Sequence, residues 1–261
     1  MADYIPFNRK MLHLSHRLRG WRAQAHPAPV FLLGHPKSGT TAIGGLLARA
    51  TGLDVTHDLF QSFGISRAEA ADLISGRMTM AEFVAKYPYA FASPVQKCPK
   101  LTFAYPALAK HFPRARFALI VRNPYDTIRS FLFRRGLPGD AARIERPLAL
   151  LPEKLEGHYI DRLAHRWNLA VEVALDHPEN VTKIHYEDFR EDKIGEIARL
   201  ADSLGLTAQH DITRWLDIDY KPRSHSGTTV EQFFDAENFA RISTICGENM
   251  VRMGYPARAI S

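Results

Sequence analysis

The sequence predicts an α/β fold with a central parallel β-sheet flanked by helices, and three observations carry that expectation. Val30–Leu33 and Phe117–Val121 are unbroken apolar runs, as expected of strands covered on both faces. Each run leads through a short turn into a segment of helical character. Strand-like and helix-like segments then keep alternating, a pattern that right-handed crossovers between parallel strands explain.

Taken in order, residues 1–28 read as a basic N-terminal helical extension, in which Arg9, Lys10, His13, His16, Arg17 and Arg19 are interspersed with Met11, Leu12, Leu14 and Leu18. It lacks the apolar core of a signal peptide. Its two readings are packing on the protein's own body and peripheral contact with a membrane or an acidic acceptor. The strand Val30–Leu33 follows, and after it the turn Gly34-His35-Pro36-Lys37-Ser38-Gly39 and a helix opening at Thr40-Thr41. Leu53–Asp58 reads as a short extended piece, and Ser66–Tyr87 as two helices with Ser66 capping the first. A brief strand in Ser93–Pro99 ends at proline, Leu101–His111 is helical, and Phe117–Val121 pairs with Val181–Tyr186. Residues 134–152, rich in Gly, Pro and Arg, read as a loop or lid. Helices over His158–Asp176 (apolar side Trp167, Leu169, Val173), Ile194–Leu204 and Ala236–Met253 complete a single domain over 1–261.

The first turn carries the most chemistry. Gly34 and Gly39 allow tight turning, so that successive backbone N–H groups converge on an anion in front of a helix N-terminus. The glycine frame matches a phosphate-binding loop, which makes the expected fold a P-loop-type sandwich. Nucleotide triphosphatases, however, place a Lys directly after the second Gly, where this chain has Thr40; its Lys37 lies inside the loop. That shift points away from Mg²⁺-dependent triphosphate chemistry and towards transfer of a less charged group without a metal.

A second strand-to-helix turn, Val121-Arg122-Asn123-Pro124-Tyr125-Asp126, repeats the arrangement. Asn123 is an N-cap, Pro124 suits the first helical position, and Asp126 is placed to reach back to the cap. Arg122 then stands at the carboxyl end of a strand, where open α/β sheets bind ligands, with Ser130 two turns along the helix. An Arg fork with a hydroxyl suits a terminal phosphate; a plain pairing of Arg122 with Asp126 is the simpler alternative.

Composition narrows the classes. The chain has 261 residues, 34 Lys and Arg against 28 Asp and Glu, and a formal charge of +6. That excess suits a polyanionic ligand, but with no zinc-finger spacing and no RNA-binding aromatic strand, no nucleic-acid partner is expected. Two distant cysteines, Cys98 and Cys246, fit buried thiols in a reducing, cytoplasmic setting. The twelve histidines show no metal-ligand spacing.

Together the segments Pro36-Lys37-Ser38-Gly39-Thr40-Thr41 and Arg122-Asn123-Pro124-Tyr125-Asp126 with Ser130 resemble the sulfotransferase superfamily, in particular its bacterial members. Lys97-Cys98-Pro99-Lys100, Phe112–Phe117 and Tyr186-Glu187-Asp188-Phe189 extend the likeness along the chain. The resemblance implies 3′-phosphoadenosine-5′-phosphosulfate (PAPS) as donor and 3′-phosphoadenosine-5′-phosphate (PAP) as product. It assigns Lys37, Ser38, Gly39, Thr40 and Thr41 to the 5′ end, and Arg122 and Ser130 to the 3′-phosphate. Arg223 and Ser224, in the basic turn Lys221–Gly227, stand in for a late phosphate-binding segment that the chain lacks. Lys37 and Lys97 would stabilise charge on the leaving phosphate. For the general base, the cytosolic pattern's His falls on Pro99, while the polysaccharide-sulfating pattern points to His57-Asp58, with His57 as base and Asp58 orienting it or acting itself. The implied activity is sulfuryl transfer to a hydroxyl or amine of a small-molecule, lipid or saccharide acceptor. A nucleotide or small-molecule kinase, and a non-catalytic PAP- or anion-binding relative, are the alternatives. Phe60, Phe63, Phe131, Phe133, Phe233 and Phe234 are candidates for an apolar acceptor pocket, with core packing as their commoner use.

Overall fold

A computed structural model describes residues 23–137, 139, 157–217 and 229–256. The predicted N-terminal helix lies outside these residues up to position 22; over 23–28, where it was expected to continue, the chain is irregular. The expected loop at 134–152 falls largely outside them too.

Five strands form one parallel sheet in the order β2-β3-β1-β4-β5, where β1 is Val30–Gly34, β2 Val55–His57, β3 Val95–Lys97, β4 Arg116–Val121 and β5 Val181–His185. The apolar runs are double-sided, as read. Phe31, Leu33, Phe117, Leu119 and Val121 enter the larger core cluster, while Val30, Leu32, Ala118 and Ile120 enter the other. Because side chains alternate along a strand, one run supplies both cores.

The smaller cluster is completed by helix α1, Thr40–Thr51, through Ile43, Leu46 and Leu47, and by Lys193–Ser203 through Ile197 and Leu200. On the opposite face lie α2, Leu59–Ser62, α3, Arg67–Ile74, α4, Met80–Lys86, and α5, Tyr105–His111. With them stand α6, Pro124–Phe133, α7, Tyr159–Asp176, and the C-terminal helix Ala236–Arg252. Ser66 caps α3 as expected, in a capping box with Glu69. Leu101 opens no α-helix: Pro99–Ala104 is 3₁₀, and α5 starts at Tyr105.

Two local expectations are corrected. The buried side of α7 runs through Tyr159, Ile160, Leu163, Ala164, Trp167, Ala170, Val171 and Ala174, while Leu169 and Val173 are only partly buried. Small alanines form much of the contact face, and Arg166 is buried alongside them. Asp126 does not close a box with Asn123. The Asn123 side chain accepts from Tyr125 N at 3.0 Å, but its backbone N–H donates to Glu187 Oε1 at 3.0 Å, from the helix that follows β5. Asp126 pairs instead with Arg129 at 2.5 Å. A partner distant in sequence has taken the role of a local one.

The parallel order puts the carboxyl ends of β1, β2, β3 and β4 along one rim. His57 stands opposite Lys97, Lys97 opposite Leu32, and Gly34 opposite Ile120. Thr102 fixes the end of β1 from the side, accepting from Gly34 N at 2.8 Å and donating to Gly34 O at 3.1 Å.

Candidate active site

The loop leaving β1 has the backbone its glycines predict. Gly34 has φ +142° and Gly39 φ +96°; a Cβ on Gly34 would meet Ile120 O at 2.6 Å, and one on Gly39 would meet the Tyr186 ring at 2.2 Å. Lys37 also takes a positive φ, 90°, which an ordinary side chain adopts only against strain. Gly39 is the N-cap of α1 and offers no side chain, so the first N–H groups of the helix, including those of Thr40 and Thr41, have no side-chain cap. Ser38 is 1% exposed, and its Oγ is enclosed with no hydrogen-bond partner among the described residues. An enclosed hydroxyl beside an uncapped helix start is a cradle for an oxyanion.

Arg122, at the tip of β4, joins the second turn to this cradle. Its Nη1 donates to the Lys37 carbonyl at 3.1 Å, and its guanidinium lies 4.7 Å from the centroid of the Tyr186 ring. Asp126 is only at 3.9 Å, so the simple pairing read as the alternative is the weaker contact. The Arg122 carbonyl accepts from Trp167 Nε1 at 2.9 Å and from Thr127 Oγ1 at 3.3 Å, which anchors the strand tip to α6 and α7. Tyr186 therefore has Gly39 and Arg122 as neighbours, a role of which its place at the end of a strand was the one sign in the sequence. Glu187, next to it, binds Asn123 N and accepts from Tyr255 Oη at 2.8 Å, tying the same turn to the segment after the C-terminal helix. Ser130 is buried in α6. Arg223 and Ser224 lie outside the described residues.

The rim on the other side of the loop brings Lys97, Asp58 and Thr41 together. Lys97 is 1% exposed, and its Nζ lies 3.0 Å from Asp58 Oδ1 and 3.3 Å from Thr41 Oγ1. A lysine so enclosed needs a compensating anion, which Asp58 supplies. Gly44 makes room for the lysine stem, since a Cβ there would come within 3.2 Å of Lys97 Cγ. Asp58 precedes α2 in a left-handed conformation, φ 50°, and its side chain does not cap that helix. His57 is the half-buried last residue of β2, and its carbonyl accepts from Ser62 Oγ. Cys98 is no competing nucleophile: burial first, and then the Asp58 charge, push its thiol up to about 11.

His35, in the loop, is buried. Its Nδ1 lies 2.7 Å from the Pro36 carbonyl and must donate to it. Burial, reinforced by the nearby Arg166 charge, holds the imidazole well below its ordinary value and hence neutral. Of the six phenylalanines named for an acceptor pocket, Phe60, Phe131 and Phe234 are core residues, Phe63 and Phe233 pack partly buried against that core, and Phe133 is 50% exposed. Among the described residues, no helix is long and apolar enough to cross a membrane.

Comparison with known proteins agrees with this frame. A model of the sulfotransferase family matches residues 59–211, more than half of the chain. Sulfotransferase STF9 from Mycobacterium avium is similar in structure over 94% of this chain and 82% of that one, at 15% identity and a TM-score of 0.57. Mouse sulfotransferase SULT7A1, solved with PAP, is similar over 92% of this chain and 89% of that one, at 17% identity and a TM-score of 0.50. At such identities the two structures show a shared fold. No curated protein sequence matches the chain. The match of the family model over residues 59–211, which hold β3, β4 and β5, shows that the chain belongs to the sulfotransferase family.

Proposed function

We propose that the protein transfers a sulfuryl group from PAPS to a hydroxyl or amine of an acceptor. The observation that carries this reading is the joined frame at the rim: an enclosed, unsatisfied Ser38 Oγ at an uncapped helix start, bound through the Lys37 carbonyl to Arg122. Two anion-binding turns held at a fixed spacing suit a ligand phosphorylated at both ends better than a single phosphate does. When bound, PAPS supplies the sulfuryl group and leaves as PAP.

In this reading Lys37, Ser38, Gly39, Thr40 and Thr41 hold the 5′ end, and Arg122 and Ser130 the 3′-phosphate, with Arg223 and Ser224 as further candidates for it. Lys37 offers positive charge at the leaving phosphate, and Lys97 holds a second charge beside Thr41. Asp58 takes the acceptor's proton on a carboxylate oxygen. Lys97 holds that carboxylate at 3.0 Å, and the pair adjoins the start of the loop helix. His57, one residue earlier, is the alternative base. The scheme asks for no metal.

The test is thermal stabilisation by PAP. PAP without Mg²⁺ is expected to raise the melting temperature, and ATP with Mg²⁺ is not; the reverse pattern would establish the kinase reading. With labelled donor and a screen of phenolic, lipid and saccharide acceptors, Lys37→Ala should abolish transfer while keeping the fold. PAP binding without turnover on any acceptor would favour a non-catalytic relative.

A further inference from the structure

Arg166 lies within α7, 3% exposed, with its guanidinium 5.2 Å from the centroid of Phe103 and 5.4 Å from that of Phe131. Among the described residues it makes no ion pair and no hydrogen bond, and its Nε is enclosed without a partner. A buried guanidinium normally has a carboxylate, because its lost hydration must be replaced; two ring faces replace only part of it. The charged or titratable groups facing it are Arg135 and Tyr159, with His35 close by. Burial first, and then the like charge of Arg135, push Arg166 down to about 9, so it stays charged at neutrality.

A second enclosed atom lacks a partner at the same place. His35 Nδ1 donates to Pro36 O, so Nε2 carries the lone pair, and it is buried with nothing to accept from among the described residues. The His35 ring lies 6.0 Å from that of Phe131, over which the exposed Arg135 also sits, its guanidinium 3.6 Å from the centroid. Three segments, the donor loop, α6 and α7, thus converge on Phe131 with a buried cation and a buried hydrogen-bond acceptor. These two groups complement one molecule that bears both an anion and an O–H or N–H.

We propose that Arg166, with Arg135 at the surface, receives an anionic group of the acceptor, a carboxylate or a phosphate or sulfate ester, while His35 Nε2 accepts a hydrogen bond from the same molecule. The proposal rests on the sulfuryl-transfer reading and names the class of acceptor, an acidic alcohol or amine. His35 lies two residues before Lys37, which seats the acceptor beside the loop, and neutral analogues would leave Arg166 buried and unpaired.

The experiment compares wild type, Arg166→Gln and Arg166→Met saturated with PAP. Each is titrated with sodium sulfate as the anion probe, against sodium chloride at matched ionic strength. Wild type should gain melting temperature from sulfate beyond chloride, and both variants should lose that gain. PAP affinity should stay within about threefold of wild type in Arg166→Gln. In chloride, Arg166→Met should melt at or above wild type, because a partnerless buried charge has been replaced by an apolar chain. A sulfate response absent from wild type or kept by both variants overturns the proposal, as does a lower melting temperature for Arg166→Met, which would mark packing alone. A PAP affinity that falls tenfold or more assigns Arg166 to the donor instead. If PAP itself fails to stabilise wild type, the donor reading falls, a result separate from loss of the sulfate response.

Discussion

Asp58 stands immediately before a helix, where an Asp side chain ordinarily accepts from the first-turn N–H groups. Here its backbone is left-handed, φ 50°, and the carboxylate turns to Lys97 instead of the helix. Lys37 is the other non-glycine residue with a positive φ among the described residues, and its carbonyl receives Arg122. Each such conformation costs about 1–3 kcal/mol, and such strain tends to persist where surrounding contacts enforce it. With Asp58 as base, Asp58→Asn should lower kcat by about 100-fold or more while PAP affinity is kept, and His57→Ala should lose less than about tenfold. Steady-state turnover with labelled donor, read beside a melting curve, checks this. The melting curve matters because the amide leaves Lys97 buried beside an uncharged partner. Equal losses in the two variants would move the proton to the imidazole.

At the scale of elements, the turn between β1 and α1 is set as much by its neighbour as by its own glycines. Gly39 combines φ +96° with the absence of any room for a Cβ, since the Tyr186 ring would lie 2.2 Å away. Tyr186 in turn stacks with Arg122 at 4.7 Å, so the two strand-to-helix turns share one aromatic wall. Gly39→Ala should therefore do more than strain one residue. A melting temperature lowered by an amount equivalent to about 1–3 kcal/mol, together with PAP affinity reduced at least tenfold, is the expected result in thermal shift and calorimetric titration. Stability lost with affinity retained would show that Tyr186 can move without carrying Arg122. Capping follows the same lesson. The box at Ser66 and Glu69 closes within one turn and was readable, whereas Asn123 takes Glu187 from 64 residues away.

For the whole molecule, a buried neutral histidine in the loop links stability to pH. His35 has a folded-state pKa well below its ordinary value, from burial first and then the Arg166 charge. The unfolded chain therefore binds the proton more readily than the folded one. The contribution is complete above the unfolded value of about 6.5 and is lost as pH falls below it, at up to about 1.4 kcal/mol per pH unit. Denaturant unfolding between pH 7.5 and 5.5 should show wild type losing stability more steeply than His35→Asn, whose amide can still donate to Pro36 O without titrating. Parallel curves would assign the pH dependence to other groups.

The sequence by itself determined the parallel α/β architecture and the two turns, because apolar runs, glycines at fixed spacing and an Asn-Pro helix start are local signals that need no distant partner. It also marked His57, Asp58 and Lys97 as candidates, though not that a buried Lys97 would hold Asp58 at 3.0 Å. Only the tertiary structure decided the partnerships: Arg122 with the Lys37 carbonyl, Tyr186 against Gly39, Glu187 on Asn123, and Arg166 enclosed between two phenylalanines. Arg166 was invisible in sequence because an Arg on a helix is ordinarily exposed. Its burial follows from how α7 meets α6 and the 3₁₀ segment Pro99–Ala104, which bring Phe131 and Phe103 over the guanidinium, an approach that no local pattern encodes.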